Sequence, residues 1–327
     1  DTYVFGRGYG HDTIFEGIPT SSLTGGSNID RLIFKDDVAP GDIVISRGTG
    51  VDDFKLTIAD TGDSITIEEQ AKEWVLGDNF YEIEEIVFSN GTIWTTNDLQ
   101  SQYFVDASTS GNDTIVGFMR NDTINGLEGN DRLEGRGGSD TYIFGTNFGQ
   151  DVIYDYPEII TWDTPDTIQF TGTWLASDFS FSKSGYNLVV QSLATSDQLT
   201  IEKFFSSGLY RTENFLFSDG TTLTDNDIYT TVMGGALIVG TENAETLNGN
   251  TGNNRIEGLG GDDVLNGSSG NDILIGENGN DSLYGGTDND TYITGNGSDT
   301  IYEDGGSDTI EFEEGIELSD LEIYRVD

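Results

Sequence analysis

From residue 245 onward the chain keeps a strict period of nine: Glu245, Asn254, Asp263, Asp272, Asp281, Asp290, Asp299 and Asp308. Two residues after each comes a large apolar side chain: Leu247, Ile256, Leu265, Leu274, Leu283, Tyr292, Ile301 and Ile310. Small residues precede each acid, as in Gly258-Leu259-Gly260-Gly261-Asp262-Asp263. A three-residue strand with one apolar centre buries nothing by itself. The units must therefore stack, each turn and strand on the next about 4.8 Å away. Stacking makes the apolar positions a continuous core and the acids a column.

Such a column repels itself unless something neutralises it, and the chain carries only 14 Lys plus Arg against 59 Asp plus Glu, a formal −45. Glycine-rich turns can curl carbonyl oxygens toward one point, and Ca²⁺ accepts a mixed set of carboxylate and carbonyl oxygens. The pattern thus points to several calcium ions. A second, shorter block repeats it with Asp113, Asp122, Asp131 and Asp140 as acids and Ile115, Ile124, Leu133 and Tyr142 as apolar column. Asp151 continues that block after an 11-residue step, as Asp12 does after Asp1. The candidate ligands are Asp1, Asp12, Asp113, Asp122, Asp131, Asp140, Asp151, Asp263, Asp272, Asp281, Asp290, Asp299 and Asp308. Two departures weaken sites. Gly117-Phe118-Met119-Arg120 puts bulk and a cation where glycines would cradle the ion, so the turn ending at Asp122 is the weakest candidate. Glu245 and Asn254 stand where Asp is expected, and these first units read as caps, since terminal repeats are atypical.

The units resemble the glycine-rich nonapeptides of the RTX, or haemolysin-type calcium-binding, proteins. The resemblance implies an all-β fold built on a parallel β-roll, two nonapeptides to a coil, with Ca²⁺ between consecutive turns. It also implies export by type I secretion machinery and folding outside the cell, in calcium.

A longer period overlies the short one. Asp30-Arg31-Leu32-Ile33-Phe34, Asp166-Thr167-Ile168-Gln169-Phe170 and Asp308-Thr309-Ile310-Glu311-Phe312 each follow a glycine-rich block that carries an Asp-Thr-Tyr run, at Asp1, Asp140 and Asp290. The expected organisation is roll at 1–16, β flank at 17–107, roll at 108–155, flank at 156–235, roll at 236–311 and the start of a flank at 312–327. The flanks alternate apolar and polar residues. Asn90-Gly91 and Asp219-Gly220 are strong hairpin signals, so antiparallel capping segments are expected. They resemble the haemolysin-type calcium-binding related segment that follows RTX blocks. One short helix is expected near Glu68–Leu76. The aromatics Trp74, Phe80, Tyr81, Phe204, Phe205 and Tyr210 are expected in the core of these plugs. Opening on Asp1-Thr2-Tyr3 without Met, the chain reads as a piece of a longer protein.

Charge argues against nucleic acid or an anionic membrane as partner. Cysteine is absent, which excludes thiol chemistry, and no apolar run is long enough for a membrane span. The single histidine, His11, has Gln150 as its counterpart in the next module and makes no triad. The Gly-x-Gly runs lack a P-loop Lys, and no Asp-Pro bond offers an autoproteolytic site. The chain is therefore read as non-catalytic: a calcium-binding, calcium-folded module of a secreted, extracellular bacterial RTX toxin, adhesin or exoenzyme. The alternative is a glycan- or cell-surface-binding module that uses exposed flank aromatics. Ice binding would need a Thr/Asn ladder, and Thr251-Gly252-Asn253 and Thr287-Asp288-Asn289 do not propagate one.

Overall fold

The structure, a computed structural model, describes residues 1–15, 29–35, 37–50, 52–68, 83–154, 165–205 and 214–312. Trp74, Phe80, Tyr81, Tyr210 and nearly all of the helix expected from Glu68 lie outside these residues. The chain divides into two compact units, Asp1–Thr222 and Leu223–Asp327.

The second unit opens with a helix, Asp225–Met233, and then winds into a roll. Strands Gly234–Val239, Asn253–Glu257, Ile273–Ile275, Thr291–Ile293 and Thr309–Glu311 form one parallel sheet. Thr246–Asn248, Val264–Ser269, Ser282–Thr287 and Thr300–Tyr302 form the other. Ile256 pairs with Leu274, Leu274 with Tyr292, Leu247 with Leu265 and Leu265 with Leu283. Each step is 18 residues (274 − 256), so one coil holds two nonapeptides. The inward column of Ile256, Leu265, Leu274, Leu283 and Tyr292 is buried, with Ile238, Leu247 and Ile301 against it.

In the first unit, one sheet of the middle roll runs Thr123–Ile124, Thr141–Phe144, Thr167–Phe170, Asn214–Leu216, all parallel. The other runs Thr114–Val116, Arg132–Glu134, Gln150–Ile153, Gln198–Ile201. The last two strands of the first sheet and the last of the second belong to the flank. The flank thus begins by extending the roll, a junction the alternating pattern alone did not predict. Its antiparallel part is the hairpin Phe179–Ser184/Asn187–Ser192, which joins Gln198–Ile201.

The first flank repeats the scheme. Arg31–Phe34 lies parallel to Thr2–Phe5 and Ser64–Ile67 parallel to His11–Ile14, while Ile43–Arg47, Phe54–Ile58 and Ser64–Ile67 form the antiparallel part. The predicted hairpin turns are present: Gly91 and Gly220 adopt positive φ, and their N–H groups donate to Phe88 and Phe217 carbonyls. Two helices were not expected, Thr96–Ala107 and Asp225–Met233. Each begins with a reciprocal capping pair, Thr95 with Asp98 and Thr224 with Asp227. The first flank's core includes Phe54, Ile67, Leu99 and Tyr103, and Phe118 of the roll is buried within it.

Candidate metal centre

A turn between strands needs two unusual backbone conformations. The residue four before the acid takes positive φ even when it is not glycine, as at Leu259 (70°), Ser268 (86°) and Glu277 (63°). The glycine two before the acid is at 102° in Gly261, 113° in Gly270 and 150° in Gly279. There a Cβ would strike backbone of the preceding coil, so glycine is required by contact as well as by φ.

These turns hold two ladders of opposite sense. Each acid's Oδ1 accepts the N–H of its counterpart one coil earlier. Asp281 accepts from Asp263 at 2.9 Å, Asp290 from Asp272 at 2.8 Å, Asp299 from Asp281 at 3.0 Å and Asp308 from Asp290 at 3.0 Å. In the middle roll Asp131 accepts from Asp113, Asp140 from Asp122, and Asp151 from Asp131. Asp166, which the sequence reading left out of the ligand set, accepts from Asp140 at 2.6 Å. It carries the same Asp-x-apolar signal as the other rungs, but 26 residues on (166 − 140). One residue earlier, side chains of Asn253, Asp262, Asn271, Asn280 and Asn289 accept N–H groups of the following coil.

The second oxygen decides the chemistry. Oδ2 of Asp131, Asp151, Asp263, Asp272, Asp281 and Asp290 is buried and accepts no hydrogen bond. A carboxylate oxygen so placed is costly unless a cation or proton meets it. Burial accordingly pushes Asp151 up to about 7 and Asp272 and Asp290 up to about 6, and raises Asp131, Asp263 and Asp281 as well. Except at Asp151, each such oxygen faces the glycine that opens its turn. A Cβ on Gly258 would lie 2.6 Å from Asp263 Oδ2 and 2.9 Å from the Gly276 carbonyl. That cradle of carboxylate and carbonyl oxygen fits Ca²⁺.

The first turns of the two rolls differ. Asn254 Nδ2 lies 2.9 Å from the Asn250 carbonyl, 2.7 Å from Gly252 and 3.2 Å from Gly267. An amide donor thus stands where the later turns present Oδ2. Glu245 accepts from Thr241 N–H at 2.7 Å, and Asp122 Oδ2 from Phe118 N–H at 2.5 Å. Beside Asp122, the Arg47 guanidinium donates to the carbonyls of Val116 (2.7 Å) and Gly117 (2.9 Å) and lies over Phe54, Tyr103 and Phe118. Phe118 is therefore an anchor for the flank, and Arg47, which the sequence reading did not single out here, adds a second cation to this turn beside Arg120.

The other candidates scatter. Asp1 and Asp12 are exposed, Asp113 and Asp299 half-buried, and Asp308 exposed. Asp63 accepts from Gly8 and Gly10 N–H groups, and Asp197 from Asn147 and Gly149, seating each flank on a glycine turn. His11 Nδ1 faces Ser64 Oγ at 2.9 Å. Phe204 and Phe205 are 1% exposed and lie in the core, not on a platform.

A roll whose turns present stacked, oxygen-lined cradles is a cation-binding repeat architecture. The RTX calcium-binding nonapeptide repeat model (four copies) matches residues 108–142, 116–153, 239–274, 266–301 and 284–316. The haemolysin-type calcium binding protein related domain matches 53–98 and 187–227. The chain carries RTX calcium-binding repeats set among haemolysin-type related segments. It is 36% identical over 119 residues to the iron-regulated protein FrpA of Neisseria meningitidis serogroup C, a match covering 34% of this chain and 10% of that protein. A solved structure, the extracellular lipase LipA from Serratia marcescens, aligns at 17% identity and a TM-score of 0.24 over 77% of this chain and 42% of that one. The β-roll assignment rests on the strand registers above.

Proposed function

We propose that the chain is a calcium-driven folding module of a secreted protein: weakly structured at cytosolic calcium and folded outside the cell, where calcium is abundant. One observation carries the reading, the row of buried Oδ2 atoms with no hydrogen-bond donor inside otherwise well-bonded turns. At free calcium about ten times Kd, each filled site adds about 1.4 kcal/mol, and the contribution vanishes where calcium is scarce. Absence of cysteine and the −45 charge suit passage as an unfolded chain through type I secretion machinery. The extracellular location, non-catalytic role and choice of Asp131, Asp151, Asp263, Asp272, Asp281 and Asp290 as principal ligands belong to this proposal. Asp140, Asp299 and Asp308 extend the same ladder. Asp113 and Asp122 sit at the middle roll's first turns, and Asp1 and Asp12 are its outlying candidates. Among the described residues no helix is long and apolar enough to cross a membrane.

A calcium titration of EGTA-treated protein, followed by far-UV circular dichroism with magnesium as control, tests it. A cooperative gain of β signal with Ca²⁺ and none with Mg²⁺ is expected. Full β signal in EGTA would sink the switch.

A further inference from the structure

The turn of Asp290 departs from the rungs before it. Thirteen residues after Asp263 and after Asp272 stands a glycine whose carbonyl faces the cradle, Gly276 and Gly285, and after Asp281 the uncharged Thr294. After Asp290 that place is taken by Glu303. Carboxylate oxygens of Asp290, Glu303 and Asp308 lie within 4.8 Å of one another. Asp290 is 1% exposed, and its Oδ2, with no hydrogen-bond donor, points into the group. A Cβ on Gly285 would meet this Oδ2, the Tyr292 hydroxyl and, at 2.7 Å, Glu303 Oε1. The buried Tyr292 phenol donates to Glu303 Oε1, which holds that carboxylate turned inward.

We propose that Asp290, Glu303 and Asp308 form a cation site of a different class from the rungs, resting on the ladder reading above. It takes Ca²⁺, or a trivalent lanthanide in its place, and fills first. The reason is charge count. An ordinary rung brings its own acid and that of the next coil to the cradle beside neutral carbonyls, whereas here Glu303 adds a third carboxylate, and ligand charge is what tunes Ca²⁺ affinity. Three converging carboxylates also repel one another most strongly when no cation is present. Tyr292 is a positioning residue for Glu303.

The test is calcium calorimetry together with terbium luminescence sensitised by tyrosine, on wild type, Glu303→Gln, Glu303→Gly and Tyr292→Phe. Wild type should show a tight first phase of about one ion, about tenfold tighter than the rest. Both Glu303 variants should lose that phase and keep the later ones, and glycine there simply restores the ordinary rung. Tyr292→Phe keeps the three carboxylates but frees Glu303, so the first ion should bind more weakly and with reduced sensitised emission. Titrations of both Glu303 variants that superpose on wild type would overturn the inference while leaving the ladder intact. Wild type that binds no calcium would overturn the ladder reading itself.

Discussion

The first turns of the rolls and the turns behind them share a backbone plan but balance their oxygens in opposite ways. At Asn254 an amide donates into the ring of carbonyls, and at Gly117 a guanidinium borrowed from the flank does so. At Asp263, Asp272, Asp281 and Asp290 no protein donor reaches Oδ2. The first turns are therefore complete as polypeptide, and each of the later ones keeps a buried carboxylate oxygen with no donor. On the function proposed above, a roll built this way has a calcium-independent start and a calcium-dependent body.

Chelation should break that contrast most visibly. In EGTA, amide exchange read by mass spectrometry should accelerate throughout Asp263–Asp299 while Ile115 and Phe118 stay protected; uniform loss would refute the division. Next comes Arg47→Met, which takes the guanidinium donor from the Val116 and Gly117 carbonyls, leaving Val116 with the Tyr103 hydroxyl, and the cation from the aromatic cage. It should cost about 2–4 kcal/mol in chemical denaturation of the first unit, with calcium or without it. Smaller still, Asp281→Asn keeps an Oδ1 acceptor but removes the carboxylate charge. It should remove about 1.4 kcal/mol in calcium and little in EGTA. Asp122→Asn should cost about 0.5–1 kcal/mol in either condition. Equal calcium sensitivity of these two variants would erase the distinction.

Acidity supplies the last comparison. Asp151, Asp272 and Asp290 are raised from 3.8 to about 7, 6 and 6. Between those values the folded, metal-free roll binds more protons than the unfolded chain, so its stability falls as pH rises through that window. The expected result is more β signal at the acid end in EGTA, together with a calcium midpoint that moves to higher concentration on acidification, because protons and Ca²⁺ compete for Oδ2. A midpoint insensitive to pH would remove the buried carboxylates from the site.

Periodicity revealed the roll because a nine-residue step permits few ways to bury Leu265 and Leu283. It also revealed the rungs, since an acid at a fixed place in a turn has a fixed neighbour. The helices were readable but passed over: Thr95 to Asp98 before Leu99, and Thr224 to Asp227 before Ile228, are capping boxes hidden beside stronger hairpin signals. Arg47 could not be read, because its partners at Val116 and Gly117 are about 70 residues away and meet it only in the fold. The flank's parallel strands stayed hidden for a similar reason. Residues such as Ile168 and Leu199 alternate as in any half-buried strand, and nothing local says which neighbour they take.

The two ladders run in opposite directions. Acids reach back to the coil before and the Asn-rich column reaches forward to the coil after. One face of any stack is thus left holding the donors and acceptors that the opposite face lacks, so the two faces fit each other and not themselves. That is the geometry of an open-ended filament, which grows without closing. The middle roll is removed from that fate on its far side, where Asp166 and the strands Thr167–Phe170 and Gln198–Ile201 take up the next rung from within the same chain.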